Sequence, residues 1–226
     1  PWVFMPILSD MLNENSTVLE IAAGVGPFSR MLADKVKSIT ALEPCGLALS
    51  NLRDTCFMRG IHNIDYIEAT WEDWVDVTHD IIIGSYAGES IIGSRKSLSR
   101  INSLARRGVI LISPINKRRK NFNADSLYGR LGRKPCIRKG HPLYIGDILK
   151  DMKIPFYHAI YTYEFGQPLQ SIDEGVQFLS GYHSFLPNEL KIVRDFIKDK
   201  AVKLGAGYYL PSTRTSEVFY WYTSEV

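Results

Sequence analysis

Thr17-Val-Leu-Glu-Ile-Ala-Ala-Gly-Val-Gly-Pro-Phe28, then a polar helical run, then Ser38-Ile-Thr-Ala-Leu-Glu-Pro44, is the stretch whose reading decides the fold. Val18, Leu19 and Ile21 to Ala23 form a short apolar run. Such a run suits a parallel strand covered by helices on both faces, where no alternation of apolar and polar residues is needed. Gly24 and Gly26 allow a tight turn and a close approach of backbone to a ligand. Pro27 suits the first turn of a helix over Phe28 to Lys37. Ile39 to Leu42 supply a second strand that ends in Glu43.

Strand, glycine turn, helix and strand together make the first half of a Rossmann-like nucleotide site. Charge and a missing glycine indicate which nucleotide. A dinucleotide fingerprint started at Gly24 needs its third glycine at position 29, where the helix must approach the strand and sit over a pyrophosphate. Ser29 stands there instead. Glu20, four residues before Gly24, places a carboxylate near the end of the first strand, which suits a cationic ligand group better than a pyrophosphate. S-adenosylmethionine carries an ammonium and a sulfonium and no phosphate. A nicotinamide oxidoreductase is correspondingly disfavoured.

With these residues in view, the segment resembles the first motif of class I S-adenosylmethionine-dependent methyltransferases: an acid, three residues, then Gly-x-Gly. The resemblance places Glu20 at the family's acid and Ala22 where a small glycine is often found, with Ala23, Gly24, Gly26 and Phe28 completing the cofactor loop. Glu43 falls where the family has the acid that binds both ribose hydroxyls, with Pro44 beside it. The resemblance also implies that Thr70 meets the adenine amino group and that Trp71 packs on the ring. The residues alone leave Trp71 open as a core side chain. Ser85 is implied at the cofactor, and Tyr86 and Glu89 on the acceptor side. The expected fold is three-layer α/β, doubly wound, with a mostly parallel seven-stranded sheet whose last strand is antiparallel.

Length and composition are compatible with this. At 226 residues and 45% hydrophobic content the chain suffices for one α/β domain with a full core. It reads as a single S-adenosylmethionine-binding domain over 1–226, with a basic insert at about 116–141 and a helical insert at about 166–207. Three cysteines, Cys45, Cys56 and Cys136, make no C-x-x-C spacing, so neither a disulfide framework nor a zinc knuckle is expected. With no run of 18 apolar residues and no signal peptide, the expectation is a cytoplasmic protein that uses no metal and does not engage a membrane.

The rest of the chain keeps the βα rhythm. Val3 to Leu12 reads as a helix, Leu47 to Phe57 as another that Gly60 ends, and Asp65 to Ala69 as the third strand. Asp80-Ile-Ile-Ile-Gly-Ser-Tyr86 is the fourth strand, Ser90 to Arg107 a helix stopped by Gly108, and Val109 to Ile115 the fifth strand. After the basic connection come a helix from Leu143 to Met152 and a sixth strand over Phe156 to Phe165. The capping box Ser171-Ile-Asp-Glu174 starts a helix to Gly181. A further helix opens at Pro187, with Leu190, Val193, Phe196, Ile197, Ala201 and Leu204 on one face, and Gly205-Ala-Gly207 ends it. Glu217-Val-Phe-Tyr-Trp-Tyr-Thr223 is a β-prone last strand, which the resemblance places antiparallel between the fifth and sixth.

Methyl transfer by in-line displacement needs alignment and exclusion of water more than a dedicated catalytic residue, so none is assigned. The Asn/Asp-Pro-Pro-Tyr/Phe motif of enzymes that methylate amino groups of bases or glutamine is replaced by Gly84-Ser-Tyr-Ala87. A small-molecule acceptor is therefore expected. Nine cations between Lys117 and Lys139 (Lys117, Arg118, Arg119, Lys120, Arg130, Arg133, Lys134, Arg138, Lys139) read either as a solvated loop or as a patch recruiting phosphate, carboxylate or RNA. With a net charge of only +3, nucleic acid is disfavoured. Cys136 reads as structural and His141 as a loop or capping residue. An RNA or protein methyltransferase and a non-catalytic S-adenosylmethionine-binding protein are the alternatives.

Overall fold

The apolar run at the start of the motif is a buried strand: in Thr17–Ile21 (β1) the residues Val18, Leu19, Glu20 and Ile21 are all shielded from solvent. The computed structural model describes residues 2–115, 122, 124–134 and 145–223. Met5–Met11 (α1) precedes β1. It is followed by Pro27–Leu32 (α2), Ser38–Leu42 (β2), Gly46–Met58 (α3), Ile64–Ile67 (β3), His79–Ser85 (β4), Glu89–Ile92 (α4), Arg95–Leu104 (α5) and Ala105–Pro114 (β5). Then come Ala124–Arg130 (α6), Ile145–Asp151 (α7), Tyr157–Glu164 (β6), Gln167–Leu169 (β7), Ile172–Tyr182 (α8), Leu190–Lys200 (α9), Val202–Leu204 (β8), Gly207–Leu210 (β9) and Thr213–Tyr222 (β10).

Seven strands form one sheet in the order β3-β2-β1-β4-β5-β10-β6. The first five are parallel, and β10 runs antiparallel to β5, with Val218 opposite Ile112. The α/β sheet with one antiparallel insertion is the expected one. Its strand order reverses between β1 and β4, and in open α/β sheets ligands lie beyond the carboxyl ends of the strands at such a switch point. The end of β1 is where the glycine turn begins.

The chain divides into two compact units, one of residues 1–114, 143–161 and 216–226, the other of residues 115–142 and 162–215. In the first, Leu19, Ile21, Ile82, Leu98, Ile101, Leu111 and Trp221 belong to one buried cluster. In the second, Leu169, Leu179, Val193, Phe196, Ile197 and Leu210 form another. Among the described residues no helix is long and apolar enough to cross a membrane.

Three helices differ from the sequence reading. The helix after Pro27 stops at Leu32, and by Lys37 the backbone N–H already bonds to the Ser16 carbonyl. The helix expected over Ser90 to Arg107 is two, because the Ser94 hydroxyl accepts from the Ser97 N–H and starts α5 anew. Arg106 and Arg107 belong to β5, where Arg106 Nε donates to Asp80 Oδ1 at 2.9 Å. The helix opened by Pro187 ends at Lys200 and not near Leu204. Val202–Leu204 instead pairs with Gly207–Leu210 through a two-residue turn in which Gly205 has φ +56°, a hairpin that β7 completes as a three-stranded sheet.

The expectations for Lys117, Arg118, Arg119, Lys120, Arg138, Lys139, Cys136 and His141 lie outside the described residues. Cys45 and Cys56 are free thiols.

Candidate functional site

The sheet register brings the ends of four strands together. Ile21 is level with Leu42 and Gly84, and Leu42 with Ile67, so the residues just beyond them, Ala22, Glu43, Ser85 and Glu68, lie along one edge. Within it the chain turns sharply. Ala22, Gly24 and Gly26 all have positive φ, at 55°, 56° and 63°. For Ala22 this left-handed conformation carries about 1–2 kcal/mol of strain, so the replacement of glycine at this position is more than a change of size.

Glu43 ties this turn to the second strand. The Gly24 N–H donates to its Oε2 at 2.9 Å and the Cys45 N–H to its Oε1 at 3.0 Å. Each carboxylate oxygen keeps a second lone-pair direction, as a pair of vicinal hydroxyls requires. A Cβ on Gly24 would meet nothing within 4 Å, so the backbone there is open to an approaching ligand. Ala23 is buried, its N–H bonded to the Leu42 carbonyl at 3.0 Å, and Pro44 is exposed beside Glu43.

Glu20 is placed differently from its expected role. Its carboxylate is 1% exposed and caps α2: Ser29 N–H donates to Oε2 at 2.8 Å, Phe28 N–H to Oε1 at 3.4 Å, and the Ser29 hydroxyl donates to Oε2 as well. It therefore fixes the turn from inside. Burial outweighs these hydrogen bonds, of which the Ser29 hydroxyl's is the strongest, and pushes the Glu20 carboxyl up from 4.5 to about 7. Because the native value lies above the unfolded one, this contribution to stability is complete below about pH 4.5 and is lost as pH rises through about 7. It amounts to roughly 3 kcal/mol. Urea midpoints of the wild type should consequently fall more steeply between about pH 5 and pH 8 than those of Glu20→Gln; parallel profiles would show that Glu20 stays ionised throughout.

Three other expected contacts are corrected or narrowed. The Phe28 side chain is 2% exposed and lies 6.1 Å from the Phe4 ring centroid, so only its backbone belongs to the loop. Trp71, 4% exposed, packs as a core residue. Its Nε1 donates to Ser97 Oγ at 2.8 Å, and the Arg100 guanidinium sits 4.3 Å from the ring centroid while donating to the carbonyls of Trp71 and Trp74. The Thr70 hydroxyl donates to Asp73 Oδ2 at 2.7 Å and accepts from the Asp73 N–H at 3.2 Å, which closes a local turn.

Glu68, which sequence reasoning missed, stands one residue beyond β3. Its Oε2 would be 2.7 Å from a Cβ on Gly46, so it lies against the first residue of α3 on the same edge as Glu43. The signal was present as a third strand ending in an acid. A strand read through to Ala69 hides it, because the strand ends at Ile67.

At the end of β4, Ser85 is half-buried and level with Ile112. Tyr86 has φ +55°; its N–H donates to the Ile112 carbonyl at 2.8 Å, and its phenol oxygen lies 2.5 Å from Ser216 Oγ. Glu89 is exposed at the start of α4. The structure thus gathers Ala22, Ala23, Gly24, Gly26, Glu43, Pro44 and Ser85, and directs the side chains of Glu20, Phe28 and Trp71 inward.

No protein-family model and no curated protein matches the chain. Solved structures do. The YcgJ protein from Bacillus subtilis is 13% identical over 98% of this chain and 97% of that one, with a TM-score of 0.58. Precorrin-6y C5,15-methyltransferase from Geobacter metallireducens is 12% identical over 97% and 86%, with a TM-score of 0.56. The fold is that of the Rossmann-like methyltransferases. Precorrin 8W decarboxylase from Methanobacterium thermoautotrophicum, at 12% identity over 97% and 89% with a TM-score of 0.57, is similar as well. At such identities the likeness establishes the fold and leaves activity to be argued from the site.

Proposed function

We propose that the chain is an S-adenosylmethionine-dependent methyltransferase acting on a small-molecule acceptor. The observation that carries this reading is the position of Glu20. A dinucleotide site presents the N-terminal amides of its first helix to a pyrophosphate. Here the Phe28 and Ser29 amides are already taken by the buried carboxyl group of Glu20. A cofactor without phosphate needs the other half of the site, the open backbone at Gly24 and the Glu43 carboxylate, and both are accessible.

S-adenosylmethionine, when bound, supplies a methyl group on a positively charged sulfur. In this reading Glu43 accepts from the two ribose hydroxyls, Gly24 and Gly26 let the loop lie close to the ligand, and Ala22, Ala23 and Pro44 line it. Thr70 and Ser85 border the cofactor, and Tyr86 and Glu89 stand toward the acceptor. Tyr86 is held in a strained backbone conformation by its Ile112 and Ser216 contacts, the kind of strain that persists where a surrounding structure holds a functional side chain in place. Gly84-Ser-Tyr-Ala87 lacks the Pro-Pro element of base and glutamine amino methylation, which supports the small acceptor.

Calorimetry with S-adenosylhomocysteine and with NAD tests the proposal. Micromolar binding of the first and none of the second is expected, on the order of −8 kcal/mol. Tight NAD binding without any to S-adenosylhomocysteine would sink it.

A further inference from the structure

We propose that His158, oriented by Glu217, is the base that removes a proton from the methyl acceptor, and that this acceptor is a small molecule with an acidic hydroxyl, phenolic or enolic. This rests on the methyl-transfer reading above. The two side chains and Ser113 lie in the first unit, at the carboxyl edge of its sheet. Glu217 stands opposite Ser113, one residue beyond the Ile112 that is level with Ser85. The fully buried Ser113 hydroxyl donates to Glu217 Oε1 at 3.4 Å, and His158 Nε2 lies 3.4 Å from Oε2. Phe219, two residues along β10, stacks on the imidazole with 4.5 Å between centroids and 17° between planes, which fixes the ring. An Nε2–H directed at the carboxylate leaves the lone pair on Nδ1, and no described residue bonds to that nitrogen. Of the pair, the imidazole is the accessible end, its side chain 38% exposed against 18% for Glu217.

A pair this open contributes little to stability, but a carboxylate that holds an imidazole in one tautomer is what proton transfer requires. Its distance from the cofactor fits. In the reading above Ser85 borders the cofactor, and Glu217 is two strands away, about 10 Å. A hydrogen bond from hydroxyl to base and an approach of oxygen to methyl carbon together take about 6 Å, so one oxygen atom can bridge base and methyl within that span. Contacts of 3.4 Å in such a relay shorten when an acceptor binds. The Tyr86–Ser216 contact, one residue before Glu217, ties the end of β4 to this part of β10. In the transfer the acceptor oxygen's lone pair forms the O–C bond, the C–S bond breaks with its electron pair going to sulfur, and the hydroxyl proton passes to Nδ1. Glu217 balances the imidazolium until the proton leaves to water. A carboxylate acceptor needs no such base, whereas a phenol, which ionises at about pH 10, is protonated at neutral pH yet acidic enough for imidazole to assist.

The test uses the full chain, S-adenosylmethionine labelled in its methyl group, and catechol, benzyl alcohol, benzylamine and benzoate as acceptors. Label should enter catechol alone. His158→Asn should lower that kcat roughly 100-fold at about pH 7 and, because phenolate forms unaided in alkali, regain about tenfold per pH unit toward about pH 10. Glu217→Gln, which removes the positioning charge, should lower kcat roughly tenfold and leave the KM for S-adenosylmethionine in place. Binding without turnover gives a second readout. In mildly acidic solution, where free 4-nitrophenol is colourless, the probe should turn yellow as its anion on the S-adenosylhomocysteine complex of the wild type and stay colourless on that of His158→Asn. Both variants should keep the wild-type melting temperature and S-adenosylhomocysteine affinity. Label in any probe but catechol, label in none while S-adenosylhomocysteine still binds, an unchanged catechol rate in His158→Asn, or a loss in that variant that alkali does not restore would each overturn the proposal and leave the cofactor reading intact. Absence of S-adenosylhomocysteine binding by the wild type would instead remove the methyl-transfer reading itself.

Discussion

Glu43→Ala is expected to raise the dissociation constant for S-adenosylhomocysteine roughly 10- to 100-fold, because hydrogen bonds to a charged group contribute about 1.5–3 kcal/mol. Two effects combine. In the proposed function the ribose diol loses its paired acceptor, and in any case the Gly24 and Cys45 amides lose the carboxylate that now holds the loop against β2. Glu43→Gln separates them in part, since its single oxygen can accept from Gly24 and from one hydroxyl while its NH2 faces the Cys45 N–H; an intermediate loss is expected. Titration calorimetry at fixed pH is the measurement. A dissociation constant equal to that of the wild type in Glu43→Ala would show that the carboxylate only braces the loop and does not meet the ligand.

Gly26→Ala should be the most damaging single change to stability in the loop. A Cβ there would lie 2.3 Å and 2.6 Å from the two methyl carbons of Leu52, which is fully buried, so that side chain or the turn must shift, and the backbone sits at φ +63°. Left-handed strain of about 1–2 kcal/mol and overpacking of about 1–3 kcal/mol add to roughly 2–5 kcal/mol. For a chain of this size the melting temperature should fall by roughly 5–15 °C. Gly24→Ala is the control, because it shares the positive φ but its Cβ enters open space. It should lose about 1–2 kcal/mol and no more. A Gly26→Ala protein that melts within a degree or two of the wild type would mean that α3 is not packed against this turn as described.

The inward turn of Glu20 also separates two properties that sequence motifs tend to merge. An acid before a glycine turn can recognise a cation or can hold the helix that follows, and at 1% exposure Glu20 does the second. In the proposed function this inward role is also what disfavours a dinucleotide, because the amides Glu20 occupies are the ones a pyrophosphate would use.

The sequence by itself determined the elements whose causes are local. An unbroken apolar run makes β1 and β4 buried parallel strands, Gly24 and Gly26 permit a turn that few other residues tolerate, and spacing alone places Glu43 at the end of β2, beside that turn. Tertiary structure decided whatever depended on partners distant in the chain. Trp71 became core only because Ser97 and Arg100, 26 and 29 residues later, fold over it. Residues 202–204 left the helical pattern because strand pairing with Gly207–Leu210 satisfied their backbone, which periodicity does not register.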